Sequence, residues 1–262
     1  SLANSPYIVT GDITVNNGDT LTIEPGVVVK MQANRNINAT NGHIIIGSAS
    51  NPSPVVITSY KDDAYGGDTN GDGATSPGVG DWGRILVSSA SSQITINNAL
   101  IRYGGVTNGQ FQIVSGAQAT IANTTIEYSN STGIAIRNGD TVLTLTDSVI
   151  RNHYEGITIS FQADATITGT TFNTNRRGIA IDTDADVAHL TISGNTFSGN
   201  NIVAGSTPFA GLDFADSDDT LIAINNDWGS SSGPTIASNV GGTGDRIIGN
   251  VTYSPWTGQN EA

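Results

Sequence analysis

Ile121-Ala-Asn-Thr-Thr-Ile126 and Leu145-Thr-Asp-Ser-Val-Ile150 carry one pattern. Three further segments align with them without gaps: Ile96-Asn-Asn-Ala-Leu-Ile101, Ile167-Thr-Gly-Thr-Thr-Phe172 and Ile192-Ser-Gly-Asn-Thr-Phe197. The copies begin at 96, 121, 145, 167 and 192, in steps of 25, 24, 22 and 25 residues. A second element recurs between them, as Gly133-Ile-Ala-Ile136, Gly156-Ile-Thr-Ile159 and Gly178-Ile-Ala-Ile181, with Gly211-Leu-Asp-Phe214 as a looser copy. Within each copy the apolar residues alternate, the period of a strand with one buried face. Between the anchors stands Asn98, Asn123, Asp147, Gly169 or Gly194. These residue types suit a turn in the left-handed backbone region or one closed by a side-chain hydrogen bond.

A repeat of this length, rich in Thr, Asn and Gly and without a helical period, predicts a β-solenoid. Each repeat is one coil, and successive coils stack as parallel strands about 4.8 Å apart. Ile96, Ile121, Leu145, Ile167 and Ile192 then form one interior column, and Ile101, Ile126, Ile150, Phe172 and Phe197 a second. Alternation puts the residues after the second anchor, Arg102, Glu127 and Arg151, on the outside as a charge ladder. The alternating segments Tyr7–Val15, Leu21–Val29, Ile44–Ile46, Val55–Ile57 and Asp81–Val87 extend the scheme toward the N-terminus. The whole chain, 1–262, reads as a single all-β domain of roughly eight to ten coils. Its spacing stretches at 60–81 and at 198–224, which read as loops inserted into regular coils. Residues 225–262, with Trp228, Trp256, Gly233-Pro234 and Ser254-Pro255, read as a cap over the last coil, because proline removes backbone donors.

Composition narrows the function. Of 262 residues, 37% are hydrophobic and 13% charged, with 32 Gly. No apolar run approaches the ~20 residues of a membrane helix, so membrane insertion is not expected. Ten Lys and Arg against 23 Asp and Glu give a net charge of −13, which repels nucleic acid and attracts cations. Cys is absent, so there is neither a disulfide framework nor thiol chemistry. The opening Ser-Leu-Ala-Asn shows no signal peptide and reads as a mature or trimmed chain.

These coils resemble the right-handed parallel β-helix of the pectate-lyase-like superfamily. Gly11-Asp-Ile-Thr-Val15 with Leu21-Thr-Ile-Glu-Pro-Gly-Val-Val-Val-Lys30 resembles the first coil of secreted and surface-anchored β-helix proteins. The closing segment, Asn225-Asn-Asp-Trp-Gly229 through Val251-Thr-Tyr-Ser-Pro-Trp256, resembles theirs, although Asp227-Trp228 stands where two aromatics are usual. The resemblance implies an extracellular or cell-surface setting. For activity it implies little, since the superfamily holds lyases, hydrolases, epimerases, adhesins and spacers. The expectation is a non-catalytic structural, adhesive or filament-forming module, with polysaccharide binding or cleavage as the alternative. Partners would be polysaccharide, other surface proteins, or further copies meeting at the solenoid ends. An enzyme of this kind would be a polysaccharide lyase or glycoside hydrolase. Here His43, His153 and His189 make no hydrolase-like arrangement, and only Lys30 and Lys61 offer a lysine base.

The sharpest chemical motif is Asp68-Thr-Asn-Gly-Asp-Gly73. Its spacing aims alternate oxygens at one centre, as in the first half of an EF-hand loop, and predicts a structural Ca²⁺. The second half is missing: the twelfth position is Val79 rather than Glu. Asp68, Asn70 and Asp72 are therefore the core ligands, with Asp62, Asp63 and Asp81 as candidates to complete the shell. A second acidic group comprises Asp182, Asp184 and Asp186, with Asp213, Asp216, Asp218 and Asp219 one coil later. Paired carboxylates there could act as acid and base or hold a metal, against a reading as solvated turn residues. Tyr103 and Tyr128 hold equivalent positions with Tyr154 nearby, a candidate three-ring platform for sugar. A flat ice-binding face would need Thr in register over many coils, and the plentiful Thr residues are not expected to form one sustained column.

Overall fold

A computed structural model describes residues 1–73, 75–106, 108–200, 209–216 and 218–259. The chain winds as a parallel β-solenoid of about eight turns with almost no helix. A turn lays down up to three short strands, one on each of three faces. The first face runs from Ile13–Asn16 through Ile37–Thr40, Ile85–Ser88, Phe111–Val114, Thr132–Arg137, Glu155–Ser160, Arg177–Ile181 and Ala210–Phe214 to Gly244–Ile248. The second and third faces make up one 13-stranded sheet. The long strands Gln93–Arg102 and Gln118–Glu127 run across both of them.

The bend between second and third faces sits where the sequence put a turn. Asn98, Asn123, Asp147, Gly169 and Gly194 all have positive φ, between 48° and 69°. Asn and Asp tolerate this conformation because their short side chains bond locally, and Gly has no Cβ to clash.

Both predicted interior columns form. Ile96, Ile121, Leu145, Ile167 and Ile192 are register partners, as are Ile101, Ile126, Ile150, Phe172 and Phe197. The second element builds a third column on the first face: Phe111, Ile134, Ile157, Ile179 and Leu212. All are buried, and each such side chain contributes roughly 1.5–3 kcal/mol. Phe172, Phe197 and Trp228 stack with ring centroids 5.1 and 4.7 Å apart.

The corner after the third face carries a polar ladder inside the core. Asn175 accepts the backbone N–H of His153 and donates to the Ile150 carbonyl. Asn200 does the same one turn later, for Asn175 and Phe172. His153 takes the asparagine role one turn earlier: Nδ1 accepts from the Ser129 N–H, and Nε2 bonds the Ile126 carbonyl. Gly156 makes room, because a Cβ there would lie 2.4 Å from the Gly178 carbonyl oxygen.

Two expectations are overturned. Glu127 faces outward but is buried, 2% exposed, because the 60–81 insertion packs over the third face. Arg102 lies 3.7 Å from Asp62 and its guanidinium sits 5.6 Å from the Tyr65 ring centre. The charge ladder itself forms, with Glu127 3.3 Å from Arg102 and 2.7 Å from Arg151. The second correction concerns threonine. Thr95, Thr120, Thr144, Thr166 and Thr191 are register partners in five consecutive turns of the second face.

The ends differ. Trp228 is fully buried at the C-terminal end, where Asn225 and Asn226 hydrogen-bond Pro255 and Thr257. Residues Tyr7–Val9 and Ile13–Asn16 are the first strands of the stack, and among the described residues none covers them. A cavity of about 420 Å³ opens there, lined by Val9, Ile13, Leu21, Ile23 and Val27 among others. Of the 198–224 insertion, residues 201–208 and 217 lie outside the described residues.

Candidate functional site

The 60–81 insertion leaves the third face after Val55–Ser59 and returns to the first face at Ile85–Ser88. Its tip is organised by Asp68, whose carboxylate accepts the N–H groups of Gly71 (2.6 Å) and Gly73 (3.0 Å). Those bonds hold the Asp68 carboxyl below the usual range. Asn70 donates to Asp72 at 2.6 Å. The turn thus folds back so that Asp63, Asp68 and Asp72 each offer an oxygen within 4.8 Å of the others.

The electrostatics of this group are unbalanced. Burial pushes the Asp63 carboxyl up, with Asp68 the next cause; Lys30 opposes, and Asp72 and Asp62 add. Lys30 is fully buried and donates to the Gly67 carbonyl, leaving its ammonium 4.0 Å from Asp63 Oδ1. Asp63 Oδ1 and Asn70 Oδ1 are buried oxygens with no hydrogen bond. A buried acceptor without a donor costs about 1–3 kcal/mol, more when charged. Three carboxylates with oxygens within 4.8 Å of one another, and the undonated amide oxygen of Asn70 in the same turn, match the hard-oxygen set that Ca²⁺ prefers. The donor set fits the ion.

Two of the six predicted ligands lie elsewhere. Asp62 accepts from the Thr58 hydroxyl and the Ala64 N–H and faces Arg102, so it braces the base of the loop. Asp81 accepts from the Ser59 hydroxyl at 2.7 Å and the Gly78 N–H at 2.8 Å, and pairs with Lys61 at 3.0 Å. Motif spacing could not separate the tip from the base, because both are acidic and close in sequence. Lys61 is thus paired and Lys30 is buried, so neither stands as an exposed base beside the acidic tip.

The aromatic platform is half built. Tyr103 and Tyr128 stack at 5.3 Å and 14°. The Arg102 guanidinium lies 4.4 Å from the Tyr103 ring centre and bonds its hydroxyl. Tyr154 is not in that column: Asn152 continues the positive-φ series of Tyr103 and Tyr128, and Tyr154 packs on Arg176, which also covers Phe209.

The second acidic group divides as well. Asp213 pairs with Arg177 at 3.1 Å, and Arg177 reaches Glu155 at 2.8 Å. Burial raises the Asp182 carboxyl, followed by Asp184, while Arg137 and Arg177 oppose. Asp184 accepts the Phe161 N–H, Asp186 that of Ala188 and Asp216 that of Asp218. The Asp186 and Asp216 bonds close local turns, whereas the Asp184 bond ties two successive coils.

No curated protein and no solved structure matches the chain. The family model for the right handed beta helix region matches residues 81–228, more than half of the chain, and covers the turns whose register is described above. The chain therefore belongs to the right-handed β-helix family.

Proposed function

We propose that the chain is a non-catalytic extracellular module, a rigid structural or adhesive element of a surface, whose 60–81 insertion is locked by one Ca²⁺. The observation that carries this reading is the convergence of Asp63, Asp68 and Asp72 around buried oxygens that lack donors. The locked loop in turn covers Arg102 and Glu127, so the ion braces the third face. Asp68 and Asp72 are exposed. That suits the weak class of extracellular Ca²⁺ modules, with dissociation constants of about 10⁻⁴–10⁻³ M.

Calorimetric titration and thermal melting test the ion. At 100 times the dissociation constant, Ca²⁺ adds about 2.7 kcal/mol to stability. A chelator should remove this gain, and Asp72→Ala should make the chelator redundant. The sign of the pH effect follows from Asp63. Its folded carboxyl binds a proton more tightly than the unfolded one, so without ion the folded state is favoured below the ordinary Asp value and loses that advantage as pH rises. The Ca²⁺ gain should therefore be larger at pH 7 than at pH 4. No melting shift with Ca²⁺ at either pH, and no heat of binding, would leave the loop an ion-free turn.

A further inference from the structure

We propose that the outer surface of the second face binds ice through an in-register threonine column. This inference stands on strand register and on exposed hydroxyls, and on neither the calcium loop nor the spacer reading. The central column of that face is Thr22, Ile45, Thr95, Thr120, Thr144, Thr166 and Thr191, each the register partner of the next. Six of the seven are Thr, and the seventh is β-branched as well. One strand step on, the last three turns add Thr146, Thr168 and Ser193 as a second hydroxyl column. Parallel stacking sets the repeat between turns at about 4.8 Å, and two residues along a strand span about 6.6 Å. The repeat between turns is close to the shorter oxygen repeat on a prism face of hexagonal ice.

A second observation concerns where the hydroxyls go. Elsewhere the usage is mixed: Thr58, Thr124, Thr132, Thr141, Thr170 and Thr174 spend their hydroxyls on protein partners, while that of Thr158 on the first face has none. Among the described residues, none of the six threonines of the central column hydrogen-bonds a protein group through its hydroxyl, and five of them, all but Thr144, are exposed. The other faces lack such order. The first face presents Gln112, Ala135, Thr158, Ala180 and Asp213 in register, and the third Leu100, Thr125, Val149, Thr171 and Thr196.

The physics favours a lattice partner. A β-branched side chain on a strand is stiff at χ1, so methyl and hydroxyl groups repeat without having to be ordered on binding. Methyl groups restrict the orientation of first-shell water, and the hydroxyls fix that water in place. Crystalline polysaccharide is the rival flat surface. It calls for aromatic rings to stack on sugar faces, and the outward positions of the second-face strands from Gln93 to Ser193 hold no Phe, Tyr or Trp.

The test uses the full chain, fluorescently labelled, in a freezing solution. The measurements are its incorporation into a slowly growing ice hemisphere and the gap between melting and freezing points of a seeded crystal. Wild-type protein should enter the ice and open a measurable gap. Thr120→Lys and Thr166→Lys should each lose both effects while keeping the wild-type circular dichroism and melting temperature. Thr14→Lys, on the outer surface of the first face, should behave as wild type. Wild-type protein excluded from ice like serum albumin would overturn the proposal. So would retention of activity by both column variants, equal loss in Thr14→Lys, or binding to microcrystalline cellulose without binding to ice.

Discussion

His153 shows how one residue can serve an architecture while hiding a liability. It replaces an asparagine in the ladder of Asn175 and Asn200, and it must be neutral to accept from the Ser129 N–H. Burial pushes its pKa down to about 4, opposed by the hydrogen bond to the Ile126 carbonyl. A base depressed in the folded state contributes stability above the unfolded value near 6.5, and this is lost as pH falls toward 4 and below. The full shift is worth about 3 kcal/mol. His153→Asn should restore the ladder pattern and flatten the fall, so the denaturation midpoints of variant and wild type should diverge between pH 6.5 and 4. Parallel curves would show that His153 is not held neutral. Nothing in the sequence marked this role: a lone histidine two residues past a strand carries no periodic signal, and its partners come from the turns before and after it.

At the scale of the element, alternation told which side chains leave the core but not which of them meet water. Glu127 was legible as outward and as the partner of Arg102 and Arg151. Its burial was not, because it depends on an insertion some sixty residues earlier in the chain folding back over the strand. The consequence for substitution is large. An exposed ion pair is worth about 0–1 kcal/mol, whereas removing one partner of a buried pair costs about 3–5 kcal/mol. Glu127→Lys places a third cation between Arg102 and Arg151 and should lower stability by at least that much. Glu127→Gln keeps the shape and an acceptor and should cost clearly less. Urea unfolding separates the two; equal, sub-kilocalorie losses would mean the strand is exposed after all. The acidic loop has the same split legibility. The motif pointed to Asp68, Asn70 and Asp72, while only the folded turn shows that Asp63 joins them and that Asp62 and Asp81 do not.

At the scale of the molecule, the repeat was legible because a solenoid writes its core as columns of like residues. The threonine column was legible too: a Thr stands directly before each first anchor, at 95, 120, 144, 166 and 191. It is missed when only the residues between anchors are compared. The ends follow the same logic of stacking. Residues 225–259 bury Trp228 against Phe197 and pair with the last strands, so deleting 225–262 should expose the Phe172–Phe197 stack and drive aggregation in light scattering. A soluble, monomeric truncation would remove the capping role.

The polar ladder, the ion-pair column and the threonine column all depend on which residues stand beside which in neighbouring turns, and the absence of Cys makes that directly measurable. Thr120 and Thr144 are register partners, so their Cα atoms lie about 4.8 Å apart, within reach of a disulfide. Thr120 and Thr146 stand on the diagonal, about 8 Å apart, beyond that reach. Air oxidation of the Thr120→Cys, Thr144→Cys double variant should close an intramolecular bond, seen as a loss of two free thiols by mass spectrometry. The Thr120→Cys, Thr146→Cys double variant should stay reduced. Closure of the second pair with the first left open would place the turns two residues out of register and undo the ladder, the ion-pair column and the threonine column together.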